Sequence, residues 1–158
     1  MSGGSLVVVV AGIGNEYRQD DGAGVAVAKG VALAFDFVRD LGPIGEPLDL
    51  LGQWEDADLA VVIDATRTGV APGTIALVEL DESSDAERSV RHDHSSTHGL
   101  GLIDVLRLSR ALDAAPRRVV LVAIEGAAFG SGVGMCAEVQ GAIPKATAMV
   151  VELVSRSL

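Results

Sequence analysis

The sequence predicts an α/β fold of three layers, in which a mostly parallel, twisted sheet of about five strands carries helices on both faces. Apolar runs rich in Val, Leu, Ile and Ala alternate along the chain with segments of helical periodicity, which is typical of a parallel sheet. The runs are continuous, as expected for strands that are buried on both faces. With 158 residues, the chain is long enough for a full core and too short for two ordinary domains, so we expect a single domain over residues 1–158.

The strands are predicted from short apolar runs bounded by Gly, Pro or polar residues. In chain order they cover residues 6–11, 48–51, 59–63, 74–79 and 118–124. The run at 48–51 is the shortest of them, and the run at 74–79 follows the turn A-P-G.

The helices are predicted from apolar residues at helical spacing. The first begins at Asp20 or Asp21 and ends near residue 39, where L-G-P-I-G-E-P breaks it. Two others cover residues 100–112 and 137–154, and the last contains Pro144 as a kink or break. The apolar faces carry Val25, Ala28, Ala32 and Phe35 in the first helix and Leu102, Val105, Leu106 and Ser109 in the second.

Two segments without periodicity are predicted to be loops. Residues 81–96 are polar and contain histidines, and a long loop without regular structure in a compact domain is often functional. The segment G-A-A-F-G-S-G-V-G follows the last strand and is predicted to be a flexible glycine loop.

The candidate site residues are Asp21, Asp64 and His98. Each lies where a strand meets a loop or a loop meets a helix, and ligands of open α/β sheets bind at the carboxyl ends of the strands. Two carboxylates and one imidazole can hold a divalent metal with coordination positions left open. The sequence therefore predicts a protein that uses a metal ion.

The two carboxylates also have structural interpretations. Asp20 and Asp21 can cap the helix that follows them, and one of the pair can cap it while the other faces a ligand. Asp64 can accept hydrogen bonds within the turn T-R-T. An ionised carboxylate at the end of a buried strand is costly unless it is paired or bound to a metal.

His98 lies at a predicted helix start, where the helix dipole disfavours the imidazolium form. Metal binding requires the neutral imidazole. His94 and His98 have the i, i+4 spacing of helical zinc pairs, but the segment is a predicted loop and lacks the order H-E-x-x-H. We therefore interpret His92 and His94 as solvated loop residues.

Gly12, Gly14 and Asn15 form G-I-G-N between the first strand and the first helix. A dinucleotide-binding loop would have a third glycine where Tyr17 stands, which argues against the alternative of a nucleotide-binding module. We expect the glycines to turn the backbone sharply at the rim of the site. Together with Asn15 they are predicted to shape its floor and to offer backbone donors to a substrate.

Two further residues near the predicted rim have open roles. Cys136 has no flanking signature of a thiol nucleophile, so we expect a buried, inert thiol. Glu125 lies at the end of a predicted strand. It either supports the site or faces the substrate, or it is a solvated loop glutamate.

Charge and composition exclude several classes of partner. The net charge of −10 argues against nucleic acid and against an anionic membrane surface. One cysteine excludes an internal disulfide and fits a reducing cytosol, so we expect a cytoplasmic protein. The N-terminus lacks the basic region of a signal peptide. No apolar stretch approaches the roughly 20 residues that a membrane helix needs.

Five blocks of the chain together resemble the hydrogenase maturation proteases, the endopeptidases that trim the large subunit of nickel–iron hydrogenases. The blocks are G-I-G-N with D-D-G-A-G-V, V-V-I-D-A, A-P-G-T, H-G-L-G-L-I-D-V-L and A-E-V-Q-G-A-I-P-K-A. The resemblance covers nearly the whole chain, and the order and spacing of the blocks argue against a chance match.

The resemblance implies removal of a short C-terminal peptide from the nickel-loaded precursor of a hydrogenase large subunit. It implies metal binding by Asp21, Asp64 and His98. Some family members have Glu at the position of Asp21, and Ser or Thr is frequent at the position of Cys136. We expect the nickel to be carried by the precursor, although a surrogate such as cadmium or zinc could occupy the site.

The proposed chemistry leaves three points open. Asp21 or Asp64 can act as a general base on water, or the metal can lower the pKa of the water. A non-catalytic metal-sensing or chaperone protein of the same fold would keep the same ligands. We expect a monomer, and the sequence does not identify the partner hydrogenase.

Overall fold

The computed structural model describes residues 5–80 and 101–158, which form a five-stranded sheet with helices packed on it. The strands are β1 (Val8–Ile13), β2 (Arg39–Ile44), β3 (Leu59–Thr66), β4 (Ile75–Leu80) and β5 (Arg118–Glu125). The helices are α1 (Ala23–Ala34), α2 (Leu102–Ala111) and α3 (Ala137–Ser157), with short 3-10 helices at Gln19–Gly22 and Pro47–Leu50. None of the described helices is both long and apolar enough to cross a membrane.

The strands lie side by side in the order β2-β1-β3-β5-β4. The first four of these are parallel, and β4 pairs antiparallel with β5 at one edge. The predicted fold class, a mostly parallel sheet of about five strands, is confirmed. The parallel pairing brings the carboxyl ends of β1, β3 and β5 to the same edge of the sheet.

The two faces of the sheet bury separate apolar clusters, because successive strand residues point to opposite faces. Val8 and Val10 of β1 pack with residues of α1 and α3 on one face. Val9 packs with residues of α2 and with Trp54 on the other. The Trp54 Nε1–H donates to the Ser109 Oγ of α2 at 3.1 Å, so the polar groups buried there are paired. Helices on both faces are therefore confirmed.

The first helix is shorter than predicted. It ends at Ala34 because Phe35 takes an extended conformation, with φ −139° and ψ 128°. Residues Arg39–Ile44 then form β2, where the sequence predicts only a break. Pro43 has no N–H to donate, which a strand tolerates at the edge of a sheet, and among the described strands β2 pairs with β1 alone.

The short strand predicted over residues 48–51 is wrong. Pro47–Leu50 is a 3-10 helix. The fixed φ of Pro47 suits the first position of a helix, and the Asp49 carboxylate accepts the Glu46 N–H at 3.3 Å. The fifth strand of the sheet is β2 instead.

The break predicted at Pro144 is also wrong, since α3 continues through it. The proline ring leaves the carbonyl oxygen of Gln140 without its helical donor. Both Pro144 and Gln140 are exposed, so water can hydrogen-bond to that oxygen and reduce the cost of the proline. The loop predicted over residues 81–96 lies outside the described residues.

The first turn of α1 lies directly on the carboxyl ends of β1 and β3. A Cβ on Gly12 would lie 2.5 Å from the carbonyl carbon of Gly24 and 2.6 Å from the Val25 Cα. A Cβ on Gly24 would overlap the carbonyl oxygen of Ile63. Glycine is required where two backbones approach this closely. The start of α1, and the turn before it, are therefore positioned by main chain packed on main chain.

Replacing Gly24 with Ala is expected to destabilise the protein by about 1–3 kcal/mol, as overpacking typically does. The new methyl group would meet backbone, which cannot rotate away. Urea unfolding gives the change in the free energy of unfolding.

Gly141→Ala is the matched control for this substitution. Gly141 also lies in a helix, but a Cβ there would meet nothing within 4 Å, so it should stabilise the protein by up to about 1 kcal/mol. Equal stability of the Gly24→Ala variant and the wild type would contradict the close backbone contact.

Candidate functional site

Two of the predicted site residues lie at the carboxyl edge of the sheet. Ile13, the last residue of β1, is in register with Asp64 of the neighbouring strand β3. Gly14 follows Ile13, and a Cβ on Gly14 would lie 3.2 Å from the Asp21 Cγ. The structure therefore brings Asp21 and Asp64 to the ends of adjacent strands.

Asp21 is held in place by the turn that precedes α1. Its N–H donates to the carbonyl oxygen of Arg18 at 3.1 Å, and its Oδ2 accepts the Asn15 N–H at 2.8 Å. The side chain is half-buried. Asp21 is therefore fixed by its own turn and by the end of β1.

Asp64 lies near the end of β3, which continues to Thr66 and so extends beyond the predicted end at residue 63. Its neighbours in register are Ile13 of β1 and Ala123 of β5. The residue is half-buried. Asp64 therefore occupies a central position at the carboxyl edge, flanked by two parallel strands.

The histidines of the sequence lie outside the described residues. They are His92, His94 and the predicted metal ligand His98. Among residues 5–80 and 101–158, no group of three His, Cys, Asp or Glu side chains could hold a metal ion. Metal binding by Asp21, Asp64 and His98 stays a prediction.

The prediction that an aspartate caps α1 is wrong. The N-cap of α1 is Gly22, and Gln19–Gly22 forms a separate 3-10 helix without a side-chain cap. The aspartate pair still differs in exposure, since Asp20 is fully buried and Asp21 is only half-buried.

Asp20 binds a distant part of the chain. Its Oδ2 accepts the N–H groups of Ala127 and Ala128, and its Oδ1 accepts that of Cys136, each at 2.8 Å. Burial opposes ionisation of Asp20, but these three donors outweigh it and hold the pKa below its ordinary value of 3.8. The charged carboxylate thereby joins the glycine loop and the start of α3 to the turn that carries Asp21. The D-D pair was the local signal for a structural aspartate, but it gives no indication of these partners.

Cys136 is the N-cap residue of α3 and makes no side-chain cap bond. Burial raises the pKa of its thiol above the ordinary value, and the neighbouring Asp20 carboxylate raises it further. Cys136 is only partly buried, so the expectation of a buried cysteine is wrong. Since the thiolate is the nucleophilic form, the raised pKa agrees with the expected inert thiol.

Glu125 is not a solvated glutamate, since it is only 3% exposed. Its Oε2 accepts the N–H groups of Thr68 at 2.8 Å and Gly69 at 3.0 Å. Its Oε1 accepts the hydroxyl groups of Thr66 at 3.2 Å and Thr68 at 2.8 Å. Glu125 therefore fixes residues 66–69, the segment that follows Asp64 at the end of β3. It supports the site without being exposed to solvent.

The segment G-I-G-N is used inside the fold. The Gly14 N–H donates to the carbonyl oxygen of Ile44 at 2.9 Å, and Asn15 donates its N–H to Asp21. The expectation that these N–H groups are open donors is therefore wrong. Gly14 has a φ of 132°, which only glycine adopts readily. A role of Gly12, Gly14 and Asn15 in binding substrate stays a prediction.

Sequence comparisons point to one family. A family model described as hydrogenase maturation protease matches residues 38–153. The hydrogenase expression/formation protein HupM of Azotobacter chroococcum mcd 1 is 32% identical over 130 residues, which cover 80% of this chain and 61% of HupM. The hydrogenase 2 maturation protease of Escherichia coli K12 is 27% identical over 154 residues, which cover 95% of this chain and 92% of that protein.

Solved structures of similar fold agree with the sequence comparisons. The hydrogenase maturating endopeptidase HybD from E. coli superposes with a TM-score of 0.80 at 25% identity, covering 96% of this chain and 94% of that chain. The hydrogenase maturation protease HybD from Thermococcus kodakarensis gives a TM-score of 0.74 at 25% identity, covering 94% of this chain and 99% of that chain.

Replacing Asp20 with Asn is expected to destabilise the protein by about 1–3 kcal/mol at neutral pH, because the amide NH₂ of a buried Asn would face N–H donors that a carboxylate oxygen accepts. The folded pKa of Asp20 is lowered, so its contribution is full above the unfolded pKa and is lost as the pH falls through the folded pKa. Urea unfolding from pH 7 to pH 3 measures this. Below about pH 4, the wild type should lose stability more steeply than the variant.

The matched control is Asp36→Asn, since Asp36 is exposed and its substitution should change stability by less than about 0.5 kcal/mol. If Asp20→Asn and Asp36→Asn behave alike at every pH, Asp20 does not join the three segments as described.

Proposed function

The chain belongs to the hydrogenase maturation protease family, and from this we propose that it is an endopeptidase that removes a C-terminal peptide from the precursor of a nickel–iron hydrogenase large subunit. The observation that carries the proposal is the placement of Asp21 and Asp64 at the ends of adjacent parallel strands. Open α/β sheets bind their ligands at this edge. The chain spans 61% of the length of HupM, so its activity and partner are part of the proposal.

We further propose that the site reads nickel that the precursor already holds. Asp21, Asp64 and His98 would supply part of the ligand set, and the precursor would supply the rest. Carboxylate and imidazole groups are suitable ligands for such a shared ion. Cleavage would then depend on correct loading of the precursor with nickel.

The proposed reaction is hydrolysis of one peptide bond. A carboxylate of Asp21 or Asp64 takes a proton from water, the water oxygen attacks the scissile carbonyl carbon, and the C–N bond breaks as the amine gains a proton. The nearby cation would lower the pKa of the water and stabilise the negative charge that develops on the carbonyl oxygen. Glu125 and Asp20 would act on this reaction only by holding the strand end and the turn in position.

The proposal places the reaction in the cytoplasm, since a chain with one cysteine suits a reducing compartment. It also has the protein acting as a monomer on the folded precursor. A metal-sensing or chaperone protein of the same fold would bind the precursor without changing its mass.

Replacing Asp64 with Asn should reduce cleavage of nickel-loaded precursor by about 10²–10⁴-fold, the usual contribution of a general acid or base. Asp21→Asn and His98→Ala should cause losses of the same order if they share the nickel. Mass spectrometry of the precursor against time measures the loss of the C-terminal peptide.

Asp36→Asn provides the control for these variants. Asp36 is exposed and follows the C-terminal end of α1. The first turn of α1 lies at the carboxyl edge of the sheet, so Asp36 lies at the opposite edge, away from the site. Its substitution should leave the rate unchanged. Wild-type rates in Asp64→Asn would remove Asp64 from the mechanism, and normal cleavage by His98→Ala would remove His98 from the site.

The shared-ligand proposal also predicts the result of a nickel titration. The isolated protein should bind Ni²⁺ weakly. It should bind nickel-loaded precursor more tightly than nickel-free precursor. Isothermal titration calorimetry measures both. A tight, stoichiometric nickel site in the isolated protein would contradict the shared ligand set.

A further inference from the structure

Two arginines close to the proposed site have no carboxylate within ion-pair distance among the described residues: Arg18 and Arg67. Four other arginines form ion pairs with Asp or Glu side chains, namely Arg39, Arg117, Arg118 and Arg156. Carboxylates are abundant in a chain with 22 Asp and Glu residues and a net charge of −10. Arg18 and Arg67 instead contact the glycine loop, and they place two positive charges at one edge of an acidic chain.

Both arginines contact Phe129 of the glycine loop. The guanidinium carbon of Arg67 lies 4.5 Å from the centre of the Phe129 ring. The Arg18 Nη2 donates to the carbonyl oxygen of Phe129 at 3.2 Å. An aromatic face positions a guanidinium without neutralising it and without using its N–H donors. Since both side chains are exposed, most of their donors can reach a ligand.

The loop beneath the arginines is itself anchored. A Cβ on Gly126 would lie 2.7 Å from the Phe129 Cζ, so the ring packs closely on that backbone. The Gln19 N–H donates to the carbonyl oxygen of Gly132 at 3.0 Å, and the Gln19 Oε1 accepts the Gly130 N–H at 3.0 Å. Phe129 therefore belongs to a loop that hydrogen bonds hold in place, and it can keep the two arginines near each other.

Each arginine also lies close in the chain to one of the proposed catalytic carboxylates. The carbonyl oxygen of Arg18 accepts the Asp21 N–H at 3.1 Å. Arg67 directly follows Thr66, the last residue of β3, and so lies three positions after Asp64. The two cations and the two carboxylates therefore share the carboxyl edge of the sheet.

We propose that Arg18 and Arg67 bind a carboxylate of the peptide that the enzyme removes, an inference that rests on the proposed function. The planar guanidinium matches a carboxylate in shape and charge. A C-terminal peptide always offers its terminal carboxylate, and it can also offer Asp or Glu side chains. Binding at Phe129 anchors the tail beyond the scissile bond, while Asp21 and Asp64 act on the bond itself.

The test measures the dissociation constant of fluorescently labelled, nickel-loaded precursor for the wild type and for the double variant Arg18→Gln with Arg67→Gln. The double variant should bind roughly tenfold more weakly, since one exposed ion pair contributes up to about a fivefold change. Because salt screens exposed charges, the difference should shrink as ionic strength rises. In cleavage assays KM should rise with kcat nearly unchanged, as for loss of uniform binding.

Two variants separate charge at this edge from general effects. Arg117→Gln removes an exposed arginine that lies just before β5, at the opposite edge of the sheet, and it should bind like the wild type. Arg18→Lys with Arg67→Lys keeps both charges and should bind more tightly than the Gln double variant. Thermal unfolding checks that each variant is folded.

The source of the carboxylate is identified with altered precursors. One has an amidated C-terminus, and another has Asn and Gln in place of Asp and Glu in its tail. The alteration that abolishes the difference between the wild type and the Gln double variant identifies the group that is bound.

Several results would overturn the carboxylate-binding role. The first is that the wild type and the Gln double variant bind the precursor with equal affinity, or that neither binds it detectably. The second is that Arg117→Gln or the Lys double variant loses as much affinity as the Gln double variant. The third is that the difference in affinity between the wild type and the Gln double variant remains with both altered precursors. The proposed function fails on a separate observation, namely that the wild type leaves the mass of nickel-loaded precursor unchanged.

Discussion

The site depends on how closely the first turn of α1 can approach the sheet. Gly12 and Gly24 remove the two side chains that would separate helix from strand, and the carbonyl oxygen of Ile63 lies against the helix backbone. A contact made of main chain has no rotamers to adjust, so it positions the 3-10 turn before α1 within narrow limits. That turn carries both Asp20 and Asp21. The requirement for glycine at both positions thus determines where Asp21 lies relative to Asp64.

Hydrogen bonds to buried carboxylates complete the frame. Asp20 joins the turn to the glycine loop and to α3, and Glu125 joins the end of β5 to the chain beyond β3. Each carboxylate is itself buried and accepts several N–H groups, which replace the water that burial removes from it. Neither needs to touch a substrate to matter, because each keeps a segment at the carboxyl edge in place. The edge therefore contains two buried carboxylates that hold segments together, Asp20 and Glu125, and two partly exposed ones, Asp21 and Asp64.

The sequence predicts the parts of this arrangement that depend on local patterns. The apolar runs of β1, β3 and β5 are long and rich in β-branched residues, and their ends locate Asp64 and the turn with Asp21. Features that depend on distant partners escape such reasoning. Edge strand β2 contains Gly42 and Pro43 and has no strand pattern of its own, so only pairing with β1 makes it a strand. The partners of Asp20 lie 107 to 116 residues away, and nothing around the D-D pair encodes them. His98 falls outside the described residues, so its place in the site stays a prediction.

The long span of the Asp20 contacts has a consequence for synthesis of the protein on the ribosome. The turn with Asp21 emerges early, but the N–H groups that hold it come from Ala127, Ala128 and Cys136. Strand β5, which lies between β3 and β4 in the sheet, also comes late in the chain. Contacts of such sequence separation form only after the intervening chain is available. A nascent chain shorter than this has both aspartates but lacks the partners that hold their turn, so the complete edge is assembled only when translation has passed the start of α3.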